Sequence, residues 1–254
     1  FTGSTSGGIT VGKKALESVK HISLELGGKS PYVILKSDDH DYTNPIKLCF
    51  NSIFLNSGQT CTAFSRLLIP ESEKETIEKQ LVEIAKEYTV GDPTDHTVKL
   101  GPVSSMAQYK KISEYIQKGI DEGATLLIGG LPTSPDHGYY IQPTIFTDVK
   151  NSMDIAQNEI FGPVLCVITY KDVADAIAIA NDTRYGLNAG VYGPKEEAID
   201  VAHHIQAGNV YINNSPRDTA APFGGYKESG LGREGGVYGM IEFTQQKALF
   251  DTGK

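Results

Sequence analysis

The chain has 254 residues, 39% of them hydrophobic, which is enough for one large or two modest domains with a real core and rules out a disordered chain. Its formal net charge of −8 comes with no block of lysine or arginine, so a nucleic-acid footprint or attraction to an anionic membrane is not expected, and a small molecule is the expected partner. Three scattered cysteines cannot make a disulfide framework and no apolar run reaches membrane-spanning length, so the expected setting is reducing and cytoplasmic.

Helical and strand patterns alternate along the chain, which predicts an α/β fold. In HISLELGGKSP, residues 21–31, Ile22, Leu24 and Leu26 alternate with Ser23 and Glu25. This reads as a strand with one apolar face and a carboxylate on the other, ended by two glycines that let a ligand or another backbone come close. Ile46, Cys49, Phe50, Ile53 and Phe54 then form the stripe of a helix. Residues 71–88 carry Ile77, Leu81, Ile84, Ala85 and Tyr88 at helical spacing, and 104–120 carry Met106, Tyr109, Ile112, Ile116 and Ile120. Strands are predicted at LLIGG (126–130), YIQPTIF (140–146), GPVLCVITY (162–170) and LNAGVYG (187–193). A helix from Pro194 through Ala198, Ile199, Ala202 and Ile205 stops at Gly208, and a strand NVYIN (209–213) follows. Several of these strands are apolar throughout, as strands covered on both faces should be.

The cysteines separate by context. Cys49 on its helix stripe and Cys166 inside an apolar strand are expected to be inert core residues. Cys61 lies in NSGQTCTAFSR, residues 56–66, where Ser57 and Gly58 end the helical pattern and Gln59, Thr60 and Thr62 supply donors. Such a turn exposes a sulfur and favours its thiolate. Local composition leaves Cys61 open between an ordinary loop cysteine and a nucleophile. It also leaves Glu25 open between an exposed strand-end carboxylate and a partly buried base of raised pKa.

Read in order, FTGST, LELGGKSP, GQTC, EIFGPV, YGLNAGVYG and PFGGYKESGLGRE resemble the successive signature segments of the aldehyde dehydrogenase superfamily, with matching order and spacing over essentially the whole chain. The resemblance implies an α/β catalytic domain with a parallel-sheet core over 31–227 and a remnant of a Rossmann-like dinucleotide-binding domain over 1–30. It implies a C-terminal helix and oligomerisation strand over 228–254, and hence a homo-oligomer. Cys61 becomes the nucleophile, forming first a thiohemiacetal with an aldehyde and then a thioester, and Glu25 becomes the base that activates the hydrolytic water. NAD or NADP is the implied hydride acceptor. Glu159 and Phe161 are then expected at the nicotinamide-side ribose, the Leu26 carbonyl at the carboxamide near Gly27, and Gly3 and Ser4 beside the pyrophosphate. Thr60 and Thr62 flank the nucleophile on the substrate side, near a variable loop from Asn213 to Thr219.

Ser6, Gly7 and Gly8 stand where the family has a glutamate and an apolar residue, and are expected to weaken the start of the helix. PFGGYKESGLGRE is expected to be structural, and no metal site is expected. The family's long N-terminal region, with most of its dinucleotide-binding sheet, lies upstream of the position matched by Phe1. The chain alone is therefore expected to bind cofactor poorly and to be catalytically incomplete. Two other readings stay open: a cofactor-independent, esterase-like thiol hydrolase, and a truncated non-enzymatic relic with an oligomer-forming role.

Overall fold

The computed structural model describes residues 1–133, 135 and 138–253. Its helices are α1 (Thr5–Leu16), α2 (Thr43–Ile53), α3 (Lys74–Ala85), α4 (Met106–Asp121), α5 (Asp154–Gln157), α6 (Val173–Asn181), α7 (Lys195–His204) and α8 (Gly236–Ile241). Its strands are β1 (Leu24–Glu25), β2 (Ser30–Ile34), β3 (Phe64–Pro70), β4 (Thr125–Ile128), β5 (Thr144–Thr147), β6 (Val164–Tyr170), β7 (Tyr185–Gly186), β8 (Asn188–Tyr192), β9 (Asn209–Ile212), β10 (Tyr226–Lys227) and β11 (Gly230–Leu231).

Seven strands form one sheet in the order β4-β5-β6-β3-β2-β8-β9. All neighbours run parallel except β4, which pairs antiparallel with β5 at the edge. Strand alternation sends neighbouring side chains to opposite faces. Ile34, Leu67 and Ile69 meet Ile46, Phe50, Ile53, Ile77 and Leu81 of α2 and α3 on one face. Val33, Leu68 and Val191 meet Ala176, Ala180, Ala198 and Val201 of α6 and α7 on the other. Ile112, Ile116 and Ile155 of α4 and α5 cover Phe146, Val164 and Cys166. Each fully buried aliphatic side chain contributes about 1.5–3 kcal/mol by leaving water.

The central strand β3 and its neighbour β2 are ones that spacing does not single out. SPYVI is buried at every position and FSRLLIP at all but Ser65, so neither alternates. The predicted helix at 71–88 opens as a 3₁₀ turn at Glu71–Glu73, becomes α3, and ends before Tyr88. Tyr88 still packs on the rings of Phe50 and Phe54, at 5.3 Å from each. Ile120 drops out of its predicted stripe and is 39% exposed, because Gly119 rather than Ile120 faces Phe146 and Ile155.

The expected C-terminal strand does not form in the single chain. After α8 no strand follows among the described residues, and Phe243, Leu249 and Phe250 stand exposed; Lys254 lies outside them. A strand needs an edge to pair with, and the two short pairs near the C-terminus are formed by the segment before α8. β11 pairs with β1 and β10 with β7.

Candidate active site

The helix α2 ends in a left-handed turn, with φ of 50°, 54° and 76° at Asn56, Ser57 and Gly58. Position 58 requires glycine, since a Cβ there would sit 2.1 Å from the carbonyl carbon of Gly162. Ser57 Oγ donates to the Gly101 carbonyl at 2.7 Å, and the side chains of Asn56 and Gln59 donate to each other's backbone carbonyls at 3.1 Å. The turn is thereby held, and Cys61 follows it, half-buried, just before β3.

Glu25 is brought to the same place by β1. The segment containing Ser229 clamps that strand: Leu26 N donates to the Ser229 carbonyl at 2.9 Å, and Ser229 Oγ donates to the Gly27 carbonyl at 2.7 Å. The glycine-rich C-terminal segment thus has a structural role, the one the family resemblance implies. Gly27 and Gly28 permit two close approaches, made by the protein itself. A Cβ at Gly27 would lie 2.3 Å from Glu159 Oε2, and one at Gly28 would lie 2.8 Å from the Cys61 carbonyl oxygen. Gly28 N donates to Glu159 Oε1 at 3.1 Å. Glu159 and Phe161 come from the turn between α5 and β6, where Phe161 takes φ of 61°, uncommon for an aromatic residue. Gln108 of α4 holds that turn by donating to the carbonyls of Ile160 and Phe161 at 3.0 and 2.7 Å.

These elements converge on one cavity of about 490 Å³, lined by Gly3, Ser4, Glu25, Leu26, Gly27, Thr60, Cys61, Glu159 and Phe161. Every site residue expected from the sequence is there except Thr62. Thr62 lines a second cavity of about 450 Å³ on the other side of the loop. The sequence reading overlooks Gln108 and Lys111, which also line the first. Their signal is available in retrospect: spaced i, i+3 on α4, they flank the Tyr109–Ile112–Ile116 core stripe.

Burial sets the electrostatics. It raises the Glu25 carboxyl to about 7; Glu234 adds to this, and Arg233, the N-terminal ammonium and Arg217 oppose it. Glu25 is 5% exposed, and neither carboxyl oxygen has a hydrogen-bond partner among the described residues. Burial also raises Glu159, against the Gly28 hydrogen bond and the charge of Lys111. The Cys61 thiol is pushed up by burial and by the carboxylates of Glu159 and Glu25, while its own N–H and that of Thr62 pull it down. This corrects the expectation of a favoured thiolate, because the sulfur is half-buried and shares its cavity with two carboxylates. Cys49 and Cys166 are fully buried as expected, their thiols donating to the carbonyls of Phe64 and Ile155 at 3.7 and 3.2 Å.

The Ser6-Gly7-Gly8 run does not stop α1 from starting at Thr5. Ser4 caps the helix, its Oγ accepting from Gly7 N at 3.2 Å, and Leu26 fills the space that a Cβ on Gly8 would enter, 2.5 Å away. Cap and packing offset the weak propensity. Among the described residues no group of three or more His, Cys, Asp or Glu is placed to hold a metal ion, and no helix is long and apolar enough to cross a membrane.

The raised Glu25 pKa has a thermodynamic consequence. Below its ordinary value of 4.5 the carboxyl is protonated whether folded or unfolded; between 4.5 and about 7 the folded chain keeps a proton that the unfolded chain releases. Its contribution is therefore fully present at low pH and is lost as pH rises through about 7. Glu25→Gln lacks this loss, so its urea midpoint relative to wild type is expected to climb across that window. Parallel midpoint profiles for the two proteins would contradict the assignment.

The model of the "Aldehyde dehydrogenase family" matches residues 1–249. A Staphylococcus saprophyticus protein named for the same family is 49% identical over 252 residues, which cover 98% of this chain and 53% of that protein. The chain thus spans about half the length of the curated relatives it matches. Among solved structures, a Mycobacterium tuberculosis aldehyde dehydrogenase complexed with NAD+ is 43% identical with a TM-score of 0.93, over 100% of this chain and 53% of its own. A mutant of aldehyde dehydrogenase C from Pseudomonas syringae, in complex with NAD+ and octanal, is 42% identical with a TM-score of 0.91, over 95% and 50%. Signature segments, sheet architecture and the family match agree, and the chain belongs to the aldehyde dehydrogenase family.

Proposed function

We propose that the chain carries the covalent centre of an NAD- or NADP-dependent aldehyde oxidation, with Cys61 as nucleophile and Glu25 as general base. The observation that carries this reading is the convergence of Cys61, Glu25 and Glu159, distant in sequence, on one cavity in which Glu25 has a pKa of about 7.

The residues present fit the ribose and nicotinamide end of a dinucleotide. Glu159 offers a carboxylate to ribose hydroxyls, with Phe161 as an apolar wall beside it. The backbone at Leu26 and Gly27 has no Cβ at its second residue, and Gly3 and Ser4 stand at the N-terminus of α1, where an anion is favoured. What NAD or NADP supplies when bound is acceptance of a hydride, which takes the Cys61 adduct from the aldehyde to the acid level of oxidation.

The chain's own residues do the rest. Cys61 Sγ attacks the aldehyde carbon after its proton has left to solvent, because burial, with the carboxylates of Glu159 and Glu25, keeps the resting thiol protonated. Glu25, poised near neutral pH, takes a proton from water as that water attacks the Cys61 thioester. Thr60 and Thr62 border the nucleophile on its two sides. Pairing between chains through residues 228–254 belongs to the same reading, supported by the exposed Phe243, Leu249 and Phe250.

An activated ester tests the covalent steps without cofactor. With p-nitrophenyl acetate the chain is expected to show a burst of nitrophenolate from acylation of Cys61, followed by slower turnover. Glu25→Gln is expected to keep the burst and slow turnover by about 10²-fold, and Cys61→Ser to abolish the burst. Turnover at the wild-type rate in Glu25→Gln would remove the base, and a burst in Cys61→Ser would remove the nucleophile. With an aldehyde and NAD or NADP, these 254 residues alone are expected to give no measurable nucleotide reduction. The cavity offers groups for the ribose, the nicotinamide and a phosphate but assigns none to the adenosine half, and lost orientation raises a barrier by several kcal/mol, of order 7–11 at most. Cys61-dependent reduction, read as absorbance of the reduced nucleotide, would overturn that expectation.

A further inference from the structure

The second cavity, on the Thr62 side of the nucleophile, is bounded by the sheet, by α2 and by the loop at Asn214–Arg217. Its volume of about 450 Å³ suits a small molecule. Among the described residues Arg217 is the only charged one that lines it. The guanidinium stacks on Phe223, 4.6 Å from the ring centroid, and has no ion-pair or hydrogen-bond partner among the described residues. Stacking fixes the plane of the guanidinium and leaves its edge available for paired N–H donation to a carboxylate.

A second observation points to a polar occupant. Tyr32 and Asn188 line the same cavity, are 3% and 4% exposed, and carry polar atoms, Tyr32 Oη and Asn188 Oδ1, with no hydrogen-bond partner among the described residues. Leaving such an atom unanswered costs about 1–3 kcal/mol. A hydrated carboxylate answers them, Tyr32 Oη donating to the anion and Asn188 Oδ1 accepting from a water of its hydration shell; an alkyl chain answers neither. Asn188 Nδ2 also donates to the Thr62 carbonyl at 2.8 Å, which ties the cavity wall to the residue after Cys61.

We propose that this cavity receives the far end of the substrate and that Arg217 selects aldehydes carrying a carboxylate there. The proposal rests on Cys61 being the nucleophile. Arg217 is a specificity residue in this role and takes no part in the covalent steps.

The test compares two alkylating agents of equal size, N-iodoacetylglycine and its primary amide, by their rates of reaction with Cys61 at one pH. Arg217 is exposed, so its replacement should leave the fold intact. The rate of the carboxylate reagent relative to the amide is expected to fall about three- to fivefold in Arg217→Gln and to recover in Arg217→Lys, the range of a partly exposed ion pair. Any effect of Arg217 on Glu25 or on the thiol itself acts on both reagents and cancels in the ratio. An unchanged ratio, with both reagents still modifying Cys61, would overturn the proposal and leave the nucleophile in place. If neither reagent modifies Cys61 in the folded chain, the nucleophile reading fails and this proposal falls with it.

Discussion

Replacement of Arg66 by methionine is expected to lower the unfolding free energy by about 3–5 kcal/mol. Arg66 is fully buried at the start of β3 and makes four hydrogen bonds. Nε donates to the Lys29 carbonyl at 2.9 Å, Nη1 to Asn151 Oδ1 and the Ile179 carbonyl at 2.9 Å, and Nη2 to the Ala180 carbonyl at 2.8 Å. Two of those carbonyls belong to the last turn of α6, so a single guanidinium answers groups that the helix cannot satisfy and sits at the negative end of its dipole. Burial costs the cation something, pulling its pKa down to about 10, yet it stays charged at neutral pH. Methionine fills similar space and leaves three buried carbonyls without their donor. Lysine should not rescue, because three donors on a point charge cannot reproduce the planar fork. Urea denaturation measures the effect, and a loss below about 1 kcal/mol would mean that water replaces the guanidinium. Since Lys29 follows the Gly27-Gly28 pair and Arg66 follows Cys61 in the same short stretch, the variant should also blur the thiol selectivity described next.

Iodoacetamide is expected to modify Cys61 at least about 10²-fold faster than Cys49 or Cys166 in the folded chain. The two buried thiols react only through local opening, whose cost of several kcal/mol limits their rate. The Cys61 rate should keep rising through the ordinary thiol range near 8.5 without levelling, because the thiol is pushed up by burial, Glu159 and Glu25. Glu25→Gln removes one of those carboxylates and should speed labelling at a fixed pH of about 8. Peptide mapping after timed quenching reads all three sites. Equal labelling of the cysteines, or a Cys61 profile that levels near neutral pH, would contradict the geometry of the turn.

Much of this protein is legible in its sequence because local patterns record what a segment does with solvent. The stripes at Ile46–Cys49–Phe50–Ile53, at Ile77–Leu81–Ile84 and at Tyr109–Ile112–Ile116 each fix a helix and its buried face. The same reasoning marks Cys49 and Cys166 as inert. The motif order, which reflects family resemblance and not periodicity, supplies Cys61, Glu25 and Glu159 together. Only the tertiary structure decides the rest. β2 and β3 lack alternation because both of their faces are covered, so their place at the centre of the sheet is invisible to a period-2 reading. Thr60 and Thr62 look equivalent beside Cys61, yet they line different cavities. The Cys61 thiol is raised and not lowered, since its protonation depends on burial and on carboxylates delivered from the α5–β6 turn and from β1. Residue type and spacing are local properties, whereas burial and charge at a site are sums over whatever the fold brings there.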